Sequence, residues 1–272
     1  MRNSIPTPNR GGAFDIIARW GYAARGIVYL LVGGLAALAA IGQGGQTTDS
    51  RGALESLMDA AWGDVLLVAI SLGLLGYALW RCIQAIKDTD RHGTDAKGMA
   101  IRAGLLVSAA THTLLAFFAA SLIFTLGGGS GDSGGGSEGL ASWLMQQPYG
   151  RWLVGAVGLA IIGAGVAHGI KGWKAKFDRH FDMPARTQRW AYPICRFGLV
   201  IRGLVFLIIG MFFIIAAYQI DPEQAGGLDD VFNTLRSQAF GRWLLAFVAL
   251  GLFAFGLYSL LEAVYRRVNA PG

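Results

Sequence analysis

Charge is what this chain has least of. Only 15% of its 272 residues are Asp, Glu, Lys or Arg, while 54% are hydrophobic. About a quarter of an ordinary soluble domain is charged, so a water-soluble globular fold does not fit this composition. Cysteine is nearly absent as well. Cys82 and Cys195 both fall at predicted helix ends on one side, which implies no disulfide framework and points to a reducing compartment on that side. No P-loop, HExxH, GxSxG or CxxC pattern occurs, so no recognisable catalytic motif is present. The first ten residues are polar and lack an apolar stretch ending in a small-residue cleavage site, which argues against a cleavable signal peptide.

What the chain has instead is long apolar runs. Mean hydropathy is +0.47. A helix needs about 20 apolar residues to cross a bilayer. Six segments qualify, near 20–41, 63–86, 101–126, 150–172, 195–218 and 241–265.

One pattern recurs along these runs. Arg-x-Gly, followed by Arg or Ser six residues after the first Arg, opens an apolar helix three times. The copies are Arg19-Trp20-Gly21 with Arg25, Arg102-Ala103-Gly104 with Ser108, and Arg196-Phe197-Gly198 with Arg202. A second apolar helix follows each copy and begins at Gly63, Gly150 or Gly241. Self-similarity at fixed spacing reads as one helical hairpin used three times.

Basic residues give the orientation. Of the 23 Lys and Arg residues, 17 flank one side of the predicted spans. Only Arg51, Arg151, Arg236 and Arg242 fall on the other, and Arg25 and Arg202 lie within spans. The positive-inside rule then places both termini in the cytoplasm. Each repeat starts and ends inside, so the repeats are parallel and are expected to be related by rotation about the membrane normal. The +6 net charge follows this alternation of loops rather than one binding face, so no nucleic-acid partner is indicated. The outer loops contain short amphipathic stretches, Gly52–Trp62, Leu140–Tyr149 and Leu228–Phe240. These read as helices lying at the outer interface with aromatic anchors. The Gly/Ser-rich segment 127–139 reads as a flexible connection.

The stretches Arg19–Tyr29 (Arg-x-Gly-Tyr-x-Ala-Arg-Gly-x-Val-Tyr) and Phe240–Leu245 (Phe-Gly-Arg-Trp-Leu-Leu) resemble a family of bacterial membrane proteins carrying domain of unknown function 1206. The resemblance covers nearly the whole chain and implies three tandem two-helix repeats, here 14–90, 97–176 and 191–268, but carries no activity. Repeat 2 departs most. Ser108 replaces the second Arg, and His112 stands where the other repeats have Tyr29 and Phe206. Mitochondrial carriers share the three-repeat, six-helix plan, but their proline-kinked gate motif is missing. Pro193, near an odd helix, is expected to precede its span.

The expected architecture is therefore an all-α, multi-pass protein of the bacterial inner membrane. It has six transmembrane helices as three parallel hairpins in a pseudo-threefold bundle. Glycines on the second helices, including Gly165 and Gly169 as a GxxxG, suit close helix packing.

Candidate site residues follow from polar groups inside the spans. Arg25 and Arg202 lie about 9 Å deeper than the arginines that open their helices, at 1.5 Å per residue. Such a charge must be paired, solvated or snorkelling. The alternative is a ring of Arg25, Ser108 and Arg202 binding an anion or an acidic lipid headgroup. His112 lies about 15 Å beyond Arg102, and His168 lies on the partner helix. They read as hydrogen-bonded core histidines, as proton relays, or as haem or copper ligands. Glu262 aligns with Gln84 and Lys171 and is expected to pair with Lys171 or with an Arg at a helix start.

The leading functional reading is a non-enzymatic module that binds lipid, a small ligand or a partner protein, with anionic headgroups at the cytoplasmic face as partners. Two alternatives stay open: a channel or transporter along the pseudo-threefold axis, and a haem- or metal-binding redox protein.

Overall fold

The computed structural model of the chain describes residues 12–124, 136–175, 177–178 and 181–268. Of the Gly/Ser-rich connection at 127–139, residues 127–135 lie outside this set. The described residues form nine α-helices and no strand. A lone antiparallel bridge, Phe181 with Arg266, ties the loop after the fourth long helix to the C-terminal arm.

Six helices are long and apolar enough to cross a membrane: α1 (Ala13–Ile41), α3 (Gly63–Lys87), α4 (Ala96–Phe124), α6 (Gly150–Trp173), α7 (Ala185–Gln219) and α9 (Gly241–Tyr265). The three helices that open the repeats start several residues before their apolar runs. The largest extension is on α7, so Pro193 lies inside that helix instead of before it. Short helices α2 (Ser50–Glu55), α5 (Ser137–Met145) and α8 (Leu228–Arg236) close the opposite end from the termini.

These caps differ from the expected interfacial helices. Ala53 and Leu54 of α2, Ala141 of α5, and Val231 and Phe232 of α8 are fully buried. Leu54 and Phe232 share one apolar cluster with Val32, Ile201, Val205, Ala116 and Leu252 from the long helices. The apolar stripes thus turn inward and plug the bundle. The aromatics just before each second long helix, Trp62, Tyr149 and Phe240, point outward and are exposed, as a membrane-interface belt requires.

Neighbouring long helices follow the order α4, α3, α1, α9, α7, α6. In three of these seams, the first helix of one repeat packs on the second helix of another. All three use one register. Counting from the arginine of the repeated motif, small residues stand at the seventh and fourteenth following positions: Gly26 and Gly33, Ala109 and Ala116, Gly203 and Gly210. All six are buried. Gly26 and Gly33 face Gly256 and Ala249 on α9, Ala116 faces Ser71 on α3, and Gly203 and Gly210 face Gly165 and Gly158 on α6. A Cβ on Gly26 would come within 3.0 Å of the Gly256 carbonyl oxygen, and one on Gly203 within 2.7 Å of the Gly165 oxygen. Ser71 donates to the Ala116 carbonyl at 2.9 Å. Lipid supplies no hydrophobic drive between helices, so such backbone approach is what makes the seams cohere. Gly165 and Gly169 both bring backbone to the α6–α7 seam, since a Cβ on Gly203 would also come within 2.8 Å of Gly169 N, although a Cβ on Gly169 itself would meet nothing within 4 Å.

The opening arginines lock the same seams. Arg19 donates to the carbonyls of Ala263 and Val264 at 2.7 Å each. Arg102 reaches those of Ala85 and Ile86 at 2.6 and 3.2 Å, and Arg196 that of Trp173 at 3.0 Å. Each one satisfies orphan carbonyls, and complements the dipole, at the C-terminal end of the second helix across its seam.

The hairpin partners pack less evenly. In repeats 1 and 3 the motif glycine touches its own partner helix: a Cβ on Gly21 would come within 2.6 Å of Tyr77 Cα, and one on Gly198 would strike the Phe255 backbone. In repeat 2, Gly104 is exposed with nothing within 4 Å of that position. Helices α4 and α6 barely touch.

Replacing Gly33 with Ala is expected to lower stability by about 1–3 kcal/mol through overpacking, because its Cβ would collide with the Phe253 backbone. Gly104→Ala is expected to be neutral or stabilising by up to about 1 kcal/mol. Thermal melting of the two purified variants in detergent checks the contrast.

Candidate functional site

At the end of the bundle nearer the termini, the buried polar groups of α1, α3 and α9 form one lattice. Glu262, 2% exposed, sits at its centre. It accepts from Arg25 Nη2 at 2.5 Å, from Arg266 Nη1 at 2.8 Å and from the Tyr258 hydroxyl at 2.8 Å. Arg25 also donates to Ser259 Oγ at 3.1 Å and to the Tyr77 hydroxyl. Arg81 adds bonds to Tyr77 at 2.7 Å and to Gln84 at 2.9 Å. Gln84 and Arg266 both reach Asp90, at 2.8 and 3.1 Å. Lys171 donates to the Tyr258 hydroxyl at 2.8 Å, so it meets Glu262 only through that tyrosine. Of the basic partners expected for Glu262, Lys171 or an Arg at a helix start, Lys171 makes no direct pair and two arginines do, because Arg266 lies one turn after Glu262 and Arg25 faces it across the α1–α9 seam.

Arg202 is in a different state. It is 9% exposed. Its guanidinium carbon lies 4.5, 4.6 and 4.3 Å from the ring centroids of Tyr29, Phe206 and Phe255. Its Nε and Nη1 are buried without a hydrogen-bond partner. A cavity of about 210 Å³ adjoins it, lined by Arg202, Tyr29, Phe206, Asp49, Ser50 and neighbouring aliphatic side chains. Phe255 also contacts the Arg25 guanidinium, at 5.2 Å, so one ring stands between the compensated arginine and the uncompensated one.

The seams explain the difference. Arg25 on α1 meets Glu262 on α9. At the equivalent positions Ser108 on α4 has Gln84 on α3, and Arg202 on α7 has Lys171 on α6. The third seam therefore offers Arg202 no carboxylate at this position, and its Lys171 is turned to Tyr258. Neither arginine snorkels: the seams bury both long stems. The desolvation cost of a buried ion is several kcal/mol. Ring faces return about 2 kcal/mol or more each when desolvated, but they leave the N–H groups without acceptors.

The other sequence candidates take local partners. Ser108 gives its carbonyl to His112 Nδ1 at 2.7 Å. Among the described residues no hydrogen bond links it to either arginine. His168 Nδ1 bonds the Ala164 carbonyl at 2.8 Å. A carbonyl only accepts, so both rings carry the proton on Nδ1 and keep an Nε2 lone pair. The two imidazoles pack on different aromatics, His112 on Tyr77 and His168 on Phe206, at 4.5 and 5.5 Å between centroids. No group of three or more His, Cys, Asp or Glu residues placed for a metal occurs among the described residues.

The cap end is acidic. Burial, then the Asp230 carboxylate beside it, pushes the Asp229 carboxyl above the usual range, and Asp49 adds to this. Burial, then Asp230 and Asp229, raises Glu138 in the same way. The starts of α2, α5 and α8 thus bring carboxylates together over the bundle.

The family match follows the same threefold division. Domain of Unknown Function (DUF1206) matches residues 20–88, 103–175 and 197–266. The chain belongs to the DUF1206 family. The chain is 35% identical to "Uncharacterized protein YxxB" of Bacillus subtilis (strain 168) over 257 residues, spanning 92% of this chain and 90% of that one. No solved structure matches the chain.

The two arginines of this DUF1206 protein are expected to respond in opposite ways to loss of charge. Arg25→Met leaves Glu262 with one arginine fewer and is expected to cost about 3 kcal/mol or more, the usual penalty for breaking a buried pair. Arg202→Met removes an unpaired charge from an apolar site and is expected to be neutral or stabilising by about 1–4 kcal/mol when no ligand is bound. Melting curves of both variants in detergent decide the matter.

Proposed function

We propose that this protein is a non-enzymatic membrane module that holds an acidic ligand at Arg202. The observation that carries this reading is the buried guanidinium with two unsatisfied N–H groups beside a cavity. Such a group is costly until a carboxylate or phosphate offers the guanidinium an acceptor. The neighbouring lattice supports binding over conduction, since it ties α1, α3 and α9 together across the end nearer the termini.

The membrane is the bacterial inner (cytoplasmic) membrane, with both termini in the cytoplasm. The concentration of Lys and Arg at the termini and in the loops on that side supports this, and the Bacillus subtilis relative supports a bacterial setting. The shared register of the three seams supports a pseudo-threefold origin for the bundle, modified where α4 and α6 part.

Native mass spectrometry of protein released from bacterial membranes tests the reading. Wild type is expected to carry an acidic small molecule or lipid that Arg202→Lys retains in part and Arg202→Gln loses. Equal occupancy in wild type and Arg202→Gln would contradict it.

A further inference from the structure

We infer that the ligand of Arg202 comes from the bilayer, passing sideways between α4 and α6, and is an amphiphile with a carboxylate or phosphate head. The inference rests on the reading of Arg202 as the binding residue and adds the source and the route.

Three boundaries of the site argue for that route. Toward the termini, Phe255 and the Arg25–Glu262–Arg266 lattice separate Arg202 from the end of the bundle. Toward the caps, the buried faces of α2 and α8 fill the centre, and Asp49, Glu138, Asp229 and Asp230 surround the approach. An anion arriving from that side, free or as a headgroup, meets like charge; Asp49, whose Oδ1 accepts from the Arg51 and Gly52 amides, also lines the cavity itself. The remaining side is the wall between α4 and α6, and there the hairpin seam is missing.

Equivalent residues show that this wall is open. Gly21 and Gly198 are buried against their partner helices, while Gly104 is exposed and meets nothing. Gly73 and Gly251, ten residues into α3 and α9, are buried against Ala24 and Ile201. The equivalent residue of α6, Ala160, is exposed. The cavity beside Arg202 is lined by α1, α7, α9 and the starts of α2 and α8, with no lining residue from α4 or α6. Its about 210 Å³ suits a headgroup and the first few methylenes, and its wall of Val205, Ile209, Leu228 and Leu252 suits an alkyl segment better than a free ion. The rest of the chain would lie between α4 and α6, continuous with lipid.

Photolabelling of the full chain in phosphatidylcholine nanodiscs tests this, with a palmitate analogue carrying a diazirine at mid-chain. Label is expected on peptides of α4 and α6. It should fall about tenfold in Arg202→Gln, the loss of a charge-assisted contact. It should persist in part in Arg202→Lys and fall in Ala160→Trp, which fills the wall while leaving Arg202 in place. Acetate and inorganic phosphate at the same concentration are expected to leave the labelling unchanged. Label on α2 or α8, or equal label in Arg202→Gln, overturns the inference. Displacement by acetate or phosphate overturns the bilayer source but leaves Arg202 as an anion site. Wild type without label on α4 or α6 overturns the route, and the ligand co-purified with wild type but lost from Arg202→Gln then tells whether the Arg202 reading survives.

Discussion

A guanidinium buried among apolar helices must find a counter-charge or remain a standing cost. That constraint organises the end of the bundle nearer the termini. Arg25 meets it through Glu262, and the solution extends outward. Arg266 shares Glu262 and reaches Asp90, Asp90 accepts from Gln84, and Arg81 closes the path back to Tyr77 and Arg25. Three long helices, the α3–α4 loop and the C-terminal arm are joined by a single chain of bonds. Arg202 holds the equivalent place in repeat 3 and, among the described residues, receives only aromatic faces: where α9 carries Glu262, the helix across its seam carries Lys171, which donates to Tyr258. Repetition supplied two buried arginines, and divergence at the position of Glu262 gave one of them a carboxylate and left the other without one.

The repeats cohere through two devices that occur three times. Small residues at the seventh and fourteenth positions after each opening arginine let backbones touch, and the arginine itself caps the helix across the seam. Both devices act between repeats, so the units hold one another more than themselves. The bundle can therefore leave α4 and α6 apart: each remains anchored to its cross-repeat partner, α3 or α7. A gap in the wall and an unpaired charge inside it are compatible with a stable fold for that reason.

Much of this was legible in the sequence. Six spans, three hairpins and the two inward arginines follow from composition and from one motif, and the second-helix boundaries at Gly63, Gly150 and Gly241 match the structure. The cap helices were misplaced because an amphipathic stretch such as Leu54–Leu57 looks the same whether its apolar face meets headgroups or a bundle. The seams were half legible: Gly158, Gly165 and Gly256 of the second helices do pack there, while their partners, Gly26/Gly33, Ala109/Ala116 and Gly203/Gly210, lie in the first helices at fixed distances from the motif. The partners of Glu262 were half visible. Arginines were expected, but the tyrosines Tyr77 and Tyr258 and the loop carboxylate of Asp90 depend on three-dimensional proximity that no spacing reveals. The contrast between Arg25 and Arg202 becomes readable once the seams are known to join different repeats, since Glu262, Gln84 and Lys171 then fall opposite Arg25, Ser108 and Arg202.

The central claim is that Arg202 is completed by something other than this chain. An electron cryo-microscopy map of the protein in nanodiscs of native lipid, at a resolution that shows side chains, tests it most directly. The account predicts non-protein density within hydrogen-bonding distance of the Arg202 guanidinium, continuing toward the space between α4 and α6. A guanidinium paired with a carboxylate of the chain, or the same cage with no density beside it, would contradict the account.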